Sequence, residues 1–366
     1  MKIFNQIFER KTKSQINSYQ DFWEWFVKHQ SEFHKVVKEE KNIEKLFFNK
    51  ACPKLDALRE GFYLLTGMLD DDTVELVITA DGDIKNIVFV EELVQAAPQL
   101  PNWKFTALKP ELDIENCSIH MGDYVFDSSN LSFVVNEAAQ FPDDIDITII
   151  YDDFNAEDES LILNGVDIFL DNFLGELNFA TKVDYLNVVG KGELHQTLIP
   201  IEKLKDFLNW REKEFVEKYE ATRYDSDKDE YTVFEAELKS GMLLLASMNS
   251  TLLNWACKAS HQWILTVNLN YKITSSHGLP EPETNHLLNK IEDDLIEALK
   301  ASDSNLFVGH ETANGKREIY FACKEFRRSI KTVDQYAQSF KNARIEFSYD
   351  IEKDKYWHSF KRFMGN

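Results

Sequence analysis

From Tyr231 to Asp350 the sequence switches repeatedly between strand and helix period, and this restricts the fold more than any other feature. "YTVFEAEL" and "GMLLLASMN" read as a strand pair about Lys239–Gly241, and "QWILTVNLNYKI" as a long strand. A helix is expected from Pro282 to Lys300, because Leu287, Leu288, Ile291, Leu295 and Leu299 share one face. "NLFVGHE" and "KREIYFACK" are strands separated by Asn314-Gly315, a dipeptide suited to the positive φ angles of a tight hairpin. "SIKTVDQYAQSFKN" is a helix, "ARIEFSYD" a last strand and "KYWHSFKRF" a closing turn or helix. Behind its N-terminal hairpin the order is βαββαβ, that of a ferredoxin-like domain.

The preceding part has the same character. "SYQDFWEWFVKHQ" begins with Ser18 and Asp21 in a capping-box pattern, followed by Phe22, Phe26, Phe33 and Val37 at helical spacing. A second apolar stretch, Ile43 to Leu65, is expected to be helical and broken or kinked at Pro53. "TVELVITA", "WKFTALKP", "IDITIIYDD" and "DYLNVV" read as strands. "FVEELVQAAP" and "ESLILNGVDIFLDNFLGEL" read as helices, and "DYVFDSSNLSFVV" as a hairpin about Ser128–Asn130. The predicted class is α+β with two ferredoxin-like domains and an N-terminal helical pair. The expected divisions are 1–68 helical, 69–200 first domain, 201–228 linker helix and polar turn, and 229–366 second domain.

Charge is unevenly spread. Of the net -22, residues 1–68 carry +3, residues 69–190 carry -22 and residues 191–366 carry -3. A middle segment with 26 carboxylates and 4 lysines repels phosphate backbones, so nucleic acid is a poor partner for it. A basic protein, or a second copy forming a homodimer, fits better. The basic stretch 316–344, net +5, is the natural complement of the acidic segment, within one chain or between two. The first residues show no apolar signal region, no run reaches a membrane span, and Cys52, Cys117, Cys257 and Cys323 form no CxxC. A reducing cytoplasm is expected.

The stretches "EYTVFEAELKSGMLLLASMN", "HGLPEPETNHLLNKIEDDLIEAL", "FVGHETANGKREIYFACKEF" and "DKYWHSFK" resemble an uncharacterised bacterial family, one of the domains of unknown function, over about residues 229–361. Such domains are similar in places to the regulator of ribonuclease activity B, an acidic ferredoxin-like protein. That resemblance implies action by binding another protein, and it brings no established reaction.

The candidate binding residues are His277, Glu283, His286, Arg317, Arg327 and Arg328. Glu283 and His286 form a single Glu-x-x-His, whereas di-iron sites use two such motifs and further carboxylates. No metal and no cofactor is therefore expected. Cys257 and His261 would face each other on a helix, but Trp255 and Trp263 bracket them and no orienting third group is visible, so Cys257 is expected to be buried and inert. "DSDKDE" has Glu230 where a calcium loop needs glycine. The leading function is a non-catalytic interaction or regulatory module. The rivals are an enzyme with a cleft between its domains, and RNA binding by the C-terminal domain.

Overall fold

The computed structural model describes residues 16–192, 196–300 and 304–364. They form two compact units. The first takes the described residues up to Cys117 together with Asp167–Ala180, and the second takes Ser118–Val166 and the described residues from Thr181 on.

In the first unit, α1 (Tyr19–Lys38) is capped by Ser18, whose Oγ accepts from Asp21 N at 3.1 Å. Its buried Phe22, Trp23, Phe26 and Phe33 form the aromatic core, with Phe26 edge-on to Trp103 at 5.0 Å and Trp23 edge-on to Phe105 at 4.7 Å. A π-helical turn, Glu44–Phe48, leads into α2 (Asn49–Asp56), which carries Pro53 inside it. The helix expected to reach Leu65 therefore stops early, and Tyr63–Met68 is a strand, β1. Gly61 supplies the break: its φ is +88°, and a Cβ there would meet Asn86 Nδ2 at 2.5 Å. β1 pairs antiparallel with β2 (Val74–Thr79); α3 (Ile84–Gln95) then crosses over to β3 (Trp103–Ala107), parallel to β2.

In the second unit β4 (Ile119–Met121) and β5 (Tyr124–Phe126) make a small hairpin. β6 (Leu131–Val135) pairs with β7 (Asp146–Tyr151) and not with β5, so the hairpin expected about Ser128–Asn130 does not form. Leu131, Phe133 and Val134 are all buried, which places β6 inside a sheet. The chain passes through α4 (Glu159–Leu174), within which the two units divide, and α5 (Glu176–Lys182) to β8 (Tyr185–Gly190) and β9 (Ile199–Pro200). The sheet order is β8-β7-β6-β9, with β7 and β8 parallel. The single ferredoxin-like sheet expected over residues 69–200 is thus three separate sheets, β1-β2-β3 in the first unit and β4-β5 and β8-β7-β6-β9 in the second. Leu108, at a φ of +62°, and Pro110, which has no N–H, end β3 before it can continue a ladder.

After α6 (Leu204–Tyr219) the remaining elements follow the predicted order closely. They are β10 (Tyr231–Glu237), β11 (Leu243–Asn249), the short α7 (Ser250–Leu253) and β12 (Trp263–Tyr271), then α8 (Pro282–Lys300), β13 (Asn305–Ala313), β14 (Lys316–Cys323), α9 (Phe326–Ser339) and β15 (Ile345–Lys353). They build one antiparallel six-stranded sheet in the order β10-β11-β13-β14-β12-β15. Asn314 and Gly315, at φ +49° and +77°, join β13 to β14 as the dipeptide requires. α8 and α9 pack on each other and on one face, where Trp263, Leu265, Val267 and Leu269 are buried. On the other face Ala246, Met248, Ile264 and Ala322 lie under Trp357, Phe360 and Phe363 of the closing 3-10 turn. Helices and sheets together make the fold α+β.

Candidate functional site

The loop that singles itself out in the sequence leads from β12 into α8. His277, Glu283 and His286 are all exposed, and Glu283 pairs with Arg344 at 3.1 Å. Gly278, at φ +75°, lies so close to the β13–β14 turn that a Cβ would come within 3.2 Å of Asn314 Cα; its carbonyl accepts from Tyr271 Oη and Gly315 N, both at 3.0 Å. Among the described residues no group of three or more His, Cys, Asp or Glu side chains is placed to hold a metal ion.

Of the candidate arginines, Arg317 is 4% exposed. Its guanidinium lies between β14 and α8, donating to Asn289 Oδ1 at 2.7 Å, Asn285 Oδ1 at 2.9 Å and Thr312 Oγ1 at 2.9 Å. Glu292 Oε2 stands 3.9 Å from it and 2.8 Å from His310 Nδ1. Arg317 is therefore a fixed strut and not a surface ligand. Arg327 and Arg328 sit in the first turn of α9, where both backbone N–H groups donate to the capping Glu325 carboxylate at 2.9 and 3.0 Å. Arg328 is exposed, and the Arg327 guanidinium lies 4.5 Å from the Phe326 ring.

Cys257 and His261 do not share a helix face, since Cys257 precedes a 3-10 turn, Lys258–His261. Cys257 is only half-buried, which corrects the expectation of full burial. His261 is buried; its Nδ1 lies 2.9 Å from Ser260 Oγ, its carbonyl accepts from Trp357 Nε1, and burial pushes its pKa down to about 3. A neutral imidazole of such low basicity beside no carboxylate is a poor general base.

Two arrangements were not anticipated. The first is a carboxylate pair on the sheet: Glu311 of β13 and Glu318 of β14 are direct cross-strand partners. Arg362 holds Glu311 at 2.7 Å, and Lys316 holds Glu318 at 2.6 Å. Burial pushes Glu311 up, with the Glu318 carboxyl adding to that against Arg362. Burial pushes Glu318 the same way, but Lys316 and the hydrogen bond shared with Glu311 outweigh it and hold its pKa below the usual range. The two carboxyls are thus pushed in opposite directions. Counting outward from Asn314-Gly315 places these two glutamates opposite each other, so the pair was available from the sequence.

The second is a cleft of about 370 Å³ between the helix layer and the sheet. Its floor is apolar: Phe321 on β14, Leu299 on α8 and Leu252 on α7 are all buried. Tyr231 and Phe307 form an aromatic wall, their rings 6.1 Å apart, with Phe307 5.6 Å from Phe321. At the mouth Tyr224 Oη donates to Asp229 Oδ1, a short contact within the turn ahead of β10. Burial and that hydrogen bond push the Tyr224 hydroxyl well above its usual pKa, so it stays a donor. Next to the wall the fully buried Asn249 accepts from Leu252 N at 2.9 Å, and its side-chain amide interacts with the Tyr224 and Tyr231 hydroxyls.

Residues 234–364, which include this sheet from β10 onward, match the model of a family of unknown function, DUF695. No curated protein and no solved structure matches the chain. No helix among the described residues is long and apolar enough to cross a membrane.

Proposed function

We propose that the C-terminal sheet is a non-catalytic interaction module that accepts an extended, basic segment of a protein partner along β10. The observation that carries this reading is the state of that edge. β10 pairs with β11 in unbroken register, and no strand among the described residues pairs with its other side. It contains no proline, lysine or bulge, the devices that usually protect an edge, and Val233 is 73% exposed on it. Residues 225–239 carry a net charge of -4, which selects for a basic strand. Strand addition uses main-chain hydrogen bonds for affinity and alternate side chains for choice.

Read this way, β12-α8-β13-β14-α9-β15 is a ferredoxin-like split βαβ unit, its strand order 2-3-1-4, extended by the β10–β11 hairpin. The likeness to the regulator of ribonuclease activity B supports binding over catalysis by analogy of fold alone. Against the RNA alternative, Arg317 of the basic stretch is buried and hydrogen-bonded within the fold.

The test is fluorescence anisotropy of the full chain with a labelled peptide of four Lys-Val repeats. Saturable binding, weakened by salt and lost in both Val233→Lys and Glu235→Lys, is expected. Absence of binding, or binding indifferent to both substitutions, overturns the reading. Sedimentation of the chain alone distinguishes a second copy as the occupant, since β10 of two chains would then pair and Val233→Lys would give monomers.

A further inference from the structure

We infer that the cleft beside β10 is a binding site for a small aromatic amine. The inference does not depend on strand addition. The volume, about 370 Å³, lies within the range of small-molecule sites, and the lining has their composition: an apolar floor, aromatic walls and a few polar groups at fixed places.

Two features set the ligand chemistry. The stepped rings of Tyr231, Phe307 and Phe321 offer edge and face contacts that suit a flat ring. The Asp229 carboxylate stands at the mouth, with Oδ1 receiving the Tyr224 hydroxyl and so fixed in orientation. A protonated amine entering between Asp229 and the tyrosine faces gains a charge-assisted hydrogen bond and a cation–π contact together. A flat ring that carries a protonated amine describes the class. Lys300, exposed at the rim of α8, is the only cationic side chain among the described lining residues, so it disfavours a doubly charged amine more than a singly charged one.

Tyramine is the probe, with phenol and 4-hydroxyphenylacetate as neutral and anionic arms of matched ring. Calorimetric titration of the full chain should give one saturable tyramine site, with phenol about tenfold weaker and the anion weaker still, tenfold being ~1.4 kcal/mol. Asp229→Asn keeps the shape of the mouth and should bring tyramine down to the level of phenol. No saturable tyramine binding at millimolar concentration, tighter binding of the anion, or an Asp229→Asn variant that binds tyramine unchanged would overturn the site. Val233→Lys should leave tyramine affinity as it was, which separates failure of this site from failure of the strand edge.

Discussion

Glu176 and Asp184 are both withdrawn from water, Glu176 in the first unit and Asp184 in the second, and they are compensated in opposite ways. Glu176 is fully buried and is answered almost entirely by dipoles. Its carboxylate accepts from Thr79 Oγ1 at 2.5 Å, Ala80 N at 3.1 Å, Gly82 N at 3.0 Å and Lys109 N at 2.9 Å. The side chain ties the end of β2, the turn after it and the end of β3 together. Asp184 is answered by ammonium groups, Lys353 at 2.7 Å and Lys355 at 2.6 Å, with Ile145 N at 2.7 Å as its backbone donor. Lys355 also donates to the Asp143 carbonyl at 2.6 Å. The acidic segment therefore does meet basic residues of the C-terminal sheet, but through Lys353 and Lys355; Lys316, Arg317, Arg327 and Arg344 of the basic stretch pair with Glu318, Glu292, Glu325 and Glu283. Compensation by amides adds no second titrating group, whereas compensation by ammonium groups adds Lys353, which burial holds below its ordinary pKa.

The sharpest way to break this contrast is Glu176→Gln. It keeps the volume but turns an NH₂ group toward amides that donate to the carboxylate, and should cost about 3 kcal/mol by urea unfolding. Equal stability would mean that the turn finds other acceptors. Lys355→Met should cost less, roughly 2 kcal/mol, because Lys353 still compensates Asp184. The smallest effect concerns Asp144. Burial and the neighbouring Asp184 push its pKa up to about 6 from 3.8. The folded state thus holds its proton more tightly, so the stability it contributes is complete below 3.8 and is lost as pH rises through about 6. Lys353 runs the other way: burial, then Lys355, push it down to about 8 from 10.5, so its contribution is complete above 10.5 and lost as pH falls through about 8. Near pH 7 both are charged at a cost. Asp144→Asn should then raise stability at pH 7.5 by about 1 kcal/mol or less, after allowance for solvent screening, and flatten the fall between pH 4 and 6. A variant that loses stability at pH 7.5 would show that Asp144 is a useful partner of Lys353 and not a burden.

Neither carboxylate stands out in the sequence, and the reason is physical. Glu176 follows Gly175 in what reads as the tail of one amphipathic helix; only the +77° φ of that glycine, with Glu111 N packed 2.9 Å from where a Cβ would be, starts a new helix and turns the glutamate inward. Periodicity locates the elements of the C-terminal sheet because each carries its own local signal, down to the Asn314-Gly315 turn. It could not decide whether β3 and β6 share a sheet, since pairing between strands far apart in the chain leaves no local mark. His277 and His286 drew attention as residue types, and both are exposed beside the start of α8. The cleft is built from Tyr224, Leu252, Leu299, Phe307 and Phe321, which read one by one as ordinary core or turn residues.

The closing turn has a consequence for the order of folding. Trp357 is 0% exposed and completes a cluster whose other members include Met248 and Ile264, about a hundred residues earlier in the chain. β12 likewise waits for β15 while β13 and β14 can zip from their two-residue turn at once. Contacts of such sequence separation form slowly, because loop closure must precede any gain from them. The β10–β11 and β13–β14 hairpins should therefore appear early, with one greasy side of the sheet uncovered until Trp357 arrives. During synthesis that interval is a window in which a nascent chain would be vulnerable to clumping and would profit from a chaperone.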